Sequence, residues 1–266
     1  MNPMPSATPA MNPDVVSALI SRIGLDGFGH DLDAALRAVA GFDLSAIIAY
    51  PDAARPVVLH DGLCGVSPAE VMQAYLDGTY LLDAVYTACK AGRAEGLYRL
   101  ADLAPDAFFE AEYYNSPQVH PCISMETGAL AEEIAFLVRY PSGTCASYSL
   151  MRSHGMAAFS AAEVRALATY APVVRAAIRR QWSDLGAGVR EEGMEAAFRS
   201  FATGLLSPQE QRIVSLVLRG HSSLSIGLVL GIAEGTVKNH RKHIHAKLGI
   251  SSQAELFALF LGHLRA

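Results

Sequence analysis

This chain of 266 residues lacks the long hydrophobic runs of a membrane protein. No uncharged apolar stretch reaches the ~18 residues that a membrane-spanning helix needs, and nothing near the N-terminus resembles a signal peptide. Residues 1–13 hold four prolines and no basic residue, which is typical of a disordered tail. The sequence therefore predicts a cytoplasmic protein with no membrane partner.

Cysteine is scarce, and the four cysteines form no C-x-x-C pair. In a reducing compartment this scatter predicts four ordinary thiols, with a redox switch as the alternative. The four are Cys64, Cys89, Cys122 and Cys145.

Common catalytic and metal-binding motifs are also absent. The sequence contains no G-x-S-x-G, H-E-x-x-H or P-loop segment. His240, His243 and His245 include no i,i+4 pair, which a metal site on one helix needs. We therefore predict no catalytic residue, no metal and no cofactor.

Charge is divided unevenly along the chain. Residues 206–266 carry seven Lys and Arg against three Glu, so the rest must be strongly acidic to give the net charge of −5. An acidic body does not bind nucleic acid by itself, whereas a basic C-terminal region can.

The C-terminal quarter opens with a helix-start signal. Ser207 can accept a hydrogen bond from the first turn, Pro208 sits where its missing N–H is harmless, and Glu210 can reach back to the Ser207 amide. An apolar stripe follows, and Gly220 ends the helix.

Two further helical patterns follow this first helix. The second covers residues 223–230 and ends at Gly231, and the third covers residues 234–248 and is the most polar. A helix, a tight turn and a polar helix are the order of a helix-turn-helix motif.

Projection of the third helix separates a core arc from a polar surface. At about 100° per residue, Val237, Ile244 and Leu248 share one arc, while lysines and an asparagine suited to base edges and phosphates lie opposite. The alternative is an ordinary solvated helix. The predicted DNA contacts are Thr236, Lys238, Asn239, Arg241, Lys242 and Lys247.

Residues 205–266 resemble the C-terminal module of LuxR/FixJ-type bacterial transcription regulators. The matching segments are LSPQE at 206–210, GHS at 220–222, TVKNH at 236–240 and KLG at 247–249. The resemblance implies a four-helix DNA-binding domain with Lys238, Asn239 and Lys242 at the groove and residues 253–264 as a dimer contact.

Several positions depart from that family pattern. Residues 224–227 read Leu-Ser-Ile-Gly where Lys-Glu-Ile-Ala is usual, and Ala233, Gly235 and Gln253 replace a common serine, lysine and arginine. Each loses a charge or a cap worth about 1 kcal/mol. We therefore expect weak DNA binding by one module and a strong need for dimerisation, with a module acting only through protein contacts as the alternative.

Residues 14–182 alternate helical and strand patterns, and residues 183–204 are predicted to be a linker. Strands are predicted at 44–50, 56–60, 134–140 and 145–151, with a turn at 61–62, and helices at 14–23, 32–39, 69–76, 82–91 and 107–113. Ser160 and Glu163 form a capping box for a long helix through Trp182. The fold class is therefore an α+β domain, an antiparallel sheet flanked by helices, followed by an all-α helix-turn-helix domain. The first domain resembles GAF/PAS-like sensor domains.

The segment at 75–86 combines three tyrosines and two aspartates with apolar residues. Such a mixture can orient a polar ligand within an apolar wall. The predicted ligand-binding residues are Tyr75, Tyr80, Asp83 and Tyr86. The alternative is that the tyrosines pack the sheet and the aspartates cap helices.

The same segment loosely resembles the pocket of acyl-homoserine lactone receptors, where a tryptophan, a tyrosine and an aspartate hold the lactone and amide. Tyr75 and Asp83 match the last two, but Val71 stands at the tryptophan position and Ala84 replaces the usual proline. These departures make an amine-bearing or polar metabolite at least as favoured as the alternative, an acyl-homoserine lactone.

Together these patterns predict a ligand-responsive bacterial transcription factor. A homodimer would bind double-stranded promoter DNA, and a small-molecule effector in the N-terminal domain would modulate that binding. The alternative is an enzyme-like N-terminal domain that turns over its ligand, with the DNA module as a tether, although the sequence offers no assembled nucleophile and base.

Overall fold

The computed structural model describes residues 11–51, 55–63, 69–116, 120, 130–185, 198 and 200–264. Most of the predicted tail at 1–13, most of the predicted linker at 183–204, and both Cys64 and Cys122 lie outside the described residues.

In the described residues, five antiparallel strands form one sheet in the order β2-β1-β5-β4-β3. They are β1 (Leu44–Tyr50), β2 (Val57–Gly62), β3 (Gly96–Arg99), β4 (Glu132–Arg139) and β5 (Cys145–Arg152). The predicted antiparallel sheet is confirmed. The turn predicted at 61–62 is wrong, because Asp61 and Gly62 pair with Ala46 and Ser45 and so lengthen β2.

Successive side chains of a strand point to opposite faces of the sheet, and here both faces are buried. In β1, Ala46, Ile48 and Tyr50 face one side, while Ile47 and Ala49 face the other. The second face packs on α1 (Pro13–Arg22), α2 (Phe28–Arg37) and α7 (Ala161–Gln181). The predicted Ser160 capping box of α7 is confirmed.

The first face is covered by short elements. These are α3 (Ala69–Asp77), a 3-10 turn (Thr79–Leu82), α4 (Ala84–Lys90), α5 (Leu100–Leu103), a second 3-10 turn (Phe108–Glu110) and α6 (Glu112–Asn115). The single helix predicted at 107–113 is wrong, because the backbone is extended at Ala111 (φ −74°, ψ 149°) and separates the second turn from α6. The helix predicted at 82–91 begins two residues later because Asp83 caps it.

The regular secondary structure of residues 208–264 consists of helices. It contains α8 (Pro208–Leu218), α9 (Ser223–Leu230), α10 (Glu234–Leu248) and α11 (Gln253–Leu264). The predicted helix-turn-helix order is confirmed, including the capping box at Ser207 and the left-handed glycines that follow α9 and α10. No helix in the described part of the chain is long and apolar enough to cross a membrane.

One cluster of buried apolar side chains joins the first sheet face to the C-terminal helices. It runs from Tyr75 through Phe108 to Ile213 and Phe260. The two parts of the chain therefore share a core on the side of the sheet opposite α7.

Candidate functional site

Helix α10 presents its polar face outward. Val237 and Ile244 are buried, as the helical projection predicts. The exposed residues on the helix include Thr236, Lys238, Asn239 and Lys242. Ala233 occupies the N-cap without a side-chain hydrogen bond, so the missing cap expected from the sequence is a feature of the structure.

Three of the predicted DNA-contacting side chains also form hydrogen bonds or ion pairs within the chain. Arg241 donates to the Ser223 hydroxyl at 3.2 Å and to Gln253 Oε1 at 3.0 Å, and burial lowers the pKa of its guanidinium. Lys247 Nζ lies 2.6 Å from Glu210 Oε2. This contact, with hydrogen bonds from Ser207, lowers the pKa of Glu210 to about 2. Lys238 pairs with Glu234 one turn before it.

A glycine allows the turn between α9 and α10 to close tightly. A Cβ built on Gly227 would lie 2.7 Å from the carbonyl oxygen of Ile232, closer than real Cβ atoms approach. Gly227 departs from the usual family residue, and here it fits the geometry of the turn.

The turn between α8 and α9 contacts the short elements that cover the first sheet face. The backbone amide of Ala107 donates to the Gly220 carbonyl at 3.1 Å, and Asp106 accepts from the amide and hydroxyl of Ser222. Gly220 has a φ of +86°, and a Cβ there would lie 2.6 Å from the Cα of Phe108. Arg219 donates to the Leu81 carbonyl at 3.3 Å.

The apolar side chains of helix α11 pack against other residues of the same chain. Leu256, Phe257 and Phe260 are buried, and the Phe260 ring stacks on Phe198 with centroids 4.7 Å apart. These three side chains are therefore packed within the chain, and the dimer contact expected at residues 253–264 stays a prediction that must use other side chains of the helix. Leu259, 43% exposed, is a large apolar side chain that the helix leaves to solvent.

A small cavity of about 30 Å³ lies between the first sheet face and its covering helices. Of the predicted ligand-binding residues, the structure brings Tyr75 and Asp83 to its wall. Tyr80 and Tyr86 pack ring to ring beside it, with centroids 5.0 Å apart. The Trp182 indole packs on Phe28 at the opposite face of the sheet, so it does not supply the donor of a lactone pocket.

The sequence interpretation missed several polar and aromatic residues of the cavity wall. They are Tyr50, Tyr113, His120, Glu133, Ser147 and Ser149, together with Phe108. Glu133 could have been found, because it lies on β4 two positions before the inward-facing Ala135, and a carboxyl on a buried strand face is unusual.

A chain of hydroxyl groups ends at Asp83. The Tyr75 hydroxyl donates to Asp83 Oδ2 at 2.8 Å, so its oxygen accepts from the Tyr50 hydroxyl, 2.8 Å away. The Val85 amide donates to Asp83 Oδ1 at 2.7 Å, which makes Asp83 the N-cap of α4. Both interpretations of Asp83, helix cap and cavity wall, therefore hold.

Burial changes the ionisation of the cavity residues. It raises the pKa of Asp83, although hydrogen bonds from Tyr75 and the α4 backbone oppose the rise. Burial and the nearby Asp83 raise the pKa of Glu133 to about 8. Burial lowers the pKa of His120 to about 4, so this ring is neutral at pH 7.

Two cysteines meet beside the cavity. The Sγ atoms of Cys89 on α4 and Cys145 on β5 lie 2.6 Å apart, and both thiols are free and buried. Cys145 pairs with Tyr50 across β1 and β5. The fold brings together two thiols that are far apart in sequence, a closeness that the spacing of the cysteines does not indicate.

A second polar group is buried on the other sheet face. Asp33 accepts hydrogen bonds from Ser45 (2.6 Å), His60 (2.9 Å) and Tyr148 (2.7 Å), and these bonds lower its pKa although burial opposes them. His30, Asp33 and His60 have ligand atoms within 4.8 Å of one another and could hold a metal ion. Ser45 and Asp33 contact the same His60 nitrogen, which is not the arrangement of a serine–histidine–aspartate relay.

The comparisons with known proteins agree with this architecture. Residues 204–260 match the family model described as bacterial regulatory proteins, luxR family. An HTH-type transcriptional regulator from the exeN 3′ region of Aeromonas salmonicida is 32% identical over 144 residues, which cover 50% of this chain and 74% of that protein. The HTH-type regulator GfsR of Streptomyces halstedii is 40% identical over 58 residues, 22% of this chain and 24% of that protein.

A solved structure shares the N-terminal fold. The VqsR LBD domain of Pseudomonas aeruginosa is 22% identical with a TM-score of 0.52, covering 64% of this chain and 94% of that domain. The sheet and its flanking helices therefore form a fold already observed in a bacterial protein.

Proposed function

Because the chain belongs to the luxR family of bacterial regulatory proteins, we propose that it binds promoter DNA as a homodimer in the cytoplasm and responds to a small polar molecule in the cavity. The N-terminal domain binds this molecule without transforming it, in keeping with relatives that are transcriptional regulators. The exposed polar face of α10 carries the proposal for DNA.

Helix α10 is the proposed recognition helix. Asn239 and Lys238 are exposed on it and have the hydrogen-bonding groups that pair with base edges in the major groove. Thr236 and Lys242 are also exposed, and they are the proposed contacts to the sugar-phosphate backbone of the DNA. Arg241 and Lys247 would lie at the margin of this interface, which they also stabilise from within the chain. The full set of proposed contacts is Thr236, Lys238, Asn239, Arg241, Lys242 and Lys247.

Dimerisation would supply the affinity that one module lacks. The missing cap at Ala233 and the uncharged α9, with Leu224 and Leu228 exposed, leave few groups for phosphates. The exposed Leu259 on α11 is the proposed centre of a two-fold contact. Two copies would then bind half-sites about one helical turn apart.

Phe108 provides the proposed link between effector and DNA. Its side chain lines the cavity, and its backbone lies against Gly220 at the start of the helix-turn-helix. An effector that displaces Phe108 must therefore move or release this contact. Tyr75 and Asp83 would bind the effector directly, with Tyr80 and Tyr86 supporting the wall.

Selection of bound sequences from a random duplex library tests the DNA-binding proposal. The full-length protein should enrich a two-fold symmetric site, and Asn239→Ala should lose this enrichment while folding normally. Enrichment of no sequence, or of the same sequence by both proteins, would remove α10 from base recognition.

Native mass spectrometry of freshly purified protein tests the effector proposal. A small molecule should be retained by the parent and lost from Ala46→Leu, which adds carbon atoms to the cavity wall. An effector that changes DNA affinity equally in both proteins would act elsewhere.

A further inference from the structure

The cavity wall contains two carboxyl groups and, among its described residues, no lysine or arginine. Asp83 comes from the N-cap of α4, and Glu133 comes from β4. Asp83 is half-buried and lines the cavity. A buried carboxylate is costly unless a positive charge or hydrogen-bond donors accompany it.

Hydrogen bonds around Asp83 favour its ionised form. Tyr75 and the Val85 amide both donate to it, and Tyr50 supports Tyr75. Donors aimed at one carboxyl group stabilise its negative charge. The wall therefore places two hydrogen-bond donors on a buried carboxyl group, with no lysine or arginine beside it among the described residues.

Aromatic rings complete the wall. Tyr50, Tyr75, Phe108 and Tyr113 line the cavity with the two acids. The face of an aromatic ring carries partial negative charge and attracts cations, most strongly where water is excluded. Acids and aromatic faces together are the surroundings that proteins use for ammonium groups.

We propose that the effector carries a small ammonium group, which binds between Asp83 and Glu133 against the tyrosine rings. This inference rests on the proposed function, in which the cavity is the effector site. The volume of about 30 Å³ has room for about two water-sized groups, which is enough for an ammonium nitrogen and one carbon atom.

Binding of the ammonium displaces a proton from Glu133. With a pKa of about 8, the free cavity holds Glu133 as the neutral acid at pH 7. The ammonium stabilises the carboxylate, so the neutral acid and the cation become an ion pair and one proton leaves to solvent. The other titratable groups facing the cavity are Asp83, the three tyrosines Tyr50, Tyr75 and Tyr113, and the neutral His120.

Calorimetric titration of the full-length protein tests the proposal with ethanolamine and methylammonium as cations and ethylene glycol as the neutral match. We expect binding of the cations only, with proton release measured from two buffers of different ionisation enthalpy. Affinity should rise about ninefold from pH 6 to 7 and about fivefold from pH 7 to 8, because less work is needed to ionise Glu133 as the pH approaches its pKa.

Conservative variants assign the effect to the two acids. Glu133→Gln should bind the cations at least tenfold more weakly and release no proton, and Asp83→Asn should also lose at least tenfold in affinity. Glu110→Gln, on the exposed side of the adjacent 3-10 turn, should match the parent.

Two results would contradict the proposal that the effector carries an ammonium group. One is the absence of ethanolamine and methylammonium binding by folded protein, and the other is binding without proton release. If neutral molecules bind the cavity and change DNA affinity instead, the proposed function stands and only the ligand class falls. If Ala46→Leu leaves every effect on DNA binding unchanged, the effector site itself lies elsewhere.

Discussion

Lys247 connects the proposed recognition helix to the start of α8, and replacing it tests how α10 is held. Its Nζ lies 2.6 Å from Glu210 Oε2, and the same oxygen accepts from the Ser207 amide at 2.7 Å. The Glu210 side chain is 5% exposed and that of Lys247 is 42% exposed. Lys247→Met removes the ammonium and keeps most of the aliphatic stem.

The expected loss of stability follows from these exposures. A hydrogen bond to a charged group contributes about 1.5–3 kcal/mol when the remaining partner stays buried. Because Lys247 is partly exposed, water recovers some of the loss, and we expect the free energy of unfolding to fall by about 1–2 kcal/mol. For a chain of this size, each kcal/mol corresponds to about 2–4 °C in Tm.

The loss should depend on pH. The pKa of Glu210 is lowered from 4.5 to about 2 in the folded chain, first by Lys247. A depressed carboxyl pKa stabilises the fold above the unfolded-state value, and this stabilisation disappears as the pH falls through the folded-state value. The Tm difference between parent and Lys247→Met should therefore be complete at pH 7 and shrink as the pH falls below 4.5.

Thermal melts followed by circular dichroism at several pH values measure this effect. Lys242→Met is the matched control, since it removes the same charge from an exposed position on the same helix. The control should change the free energy of unfolding by less than about 0.5 kcal/mol. Equal Tm losses for both variants, or a Lys247→Met loss that does not vary with pH, would refute the argument.

Three further predictions concern recognition, assembly and the contact between the two parts of the chain. Asn239→Ala should cost about 1–3 kcal/mol in binding to the selected site and less on random DNA, measured by fluorescence anisotropy; equal losses would contradict base recognition. Leu259→Asp should weaken the dimer in sedimentation experiments with unchanged Tm, whereas Leu256→Asp, at a buried position, should lower Tm; an intact Leu259→Asp dimer would place the contact elsewhere. Gly220→Ala should lower the free energy of unfolding, measured in urea, by about 1–3 kcal/mol, because φ is +86° and the new Cβ meets the Phe108 backbone. Unchanged stability would show that the two segments move apart at no cost in free energy.

Local signals explain which parts of the fold could be predicted from sequence. The capping boxes at Ser160 and Ser207 and the glycine after α10 act within a few residues, so the sequence alone indicates them. Strand β3 has four residues and no visible alternation, and its pairing with β4 is a long-range property. Short elements of this kind carry too little pattern to be recognised.

The candidate site was predictable only in part for the same reason. Tyr75 and Asp83 lie in one segment whose composition indicates a pocket, but Glu133 reaches the cavity from a strand about fifty residues away. The apolar stripe of α11 was visible in the sequence, yet the pattern does not tell whether another chain or the same chain covers it. The structure assigns that role to Phe198 and Phe201 of the same chain.

The junction at Gly220 limits how freely this DNA-binding unit can be exchanged between regulators. Ser222 is the N-cap of helix α9, and Asp106, a residue more than a hundred positions earlier, accepts hydrogen bonds from its amide and hydroxyl. A chimera that joins residues 205–266 to a different sensor keeps all four helices but leaves out Asp106 and the Ala107 amide that donates to Gly220. We therefore expect a graft that carries the loop at 105–108 together with the four helices to be more stable than one that carries the helices alone.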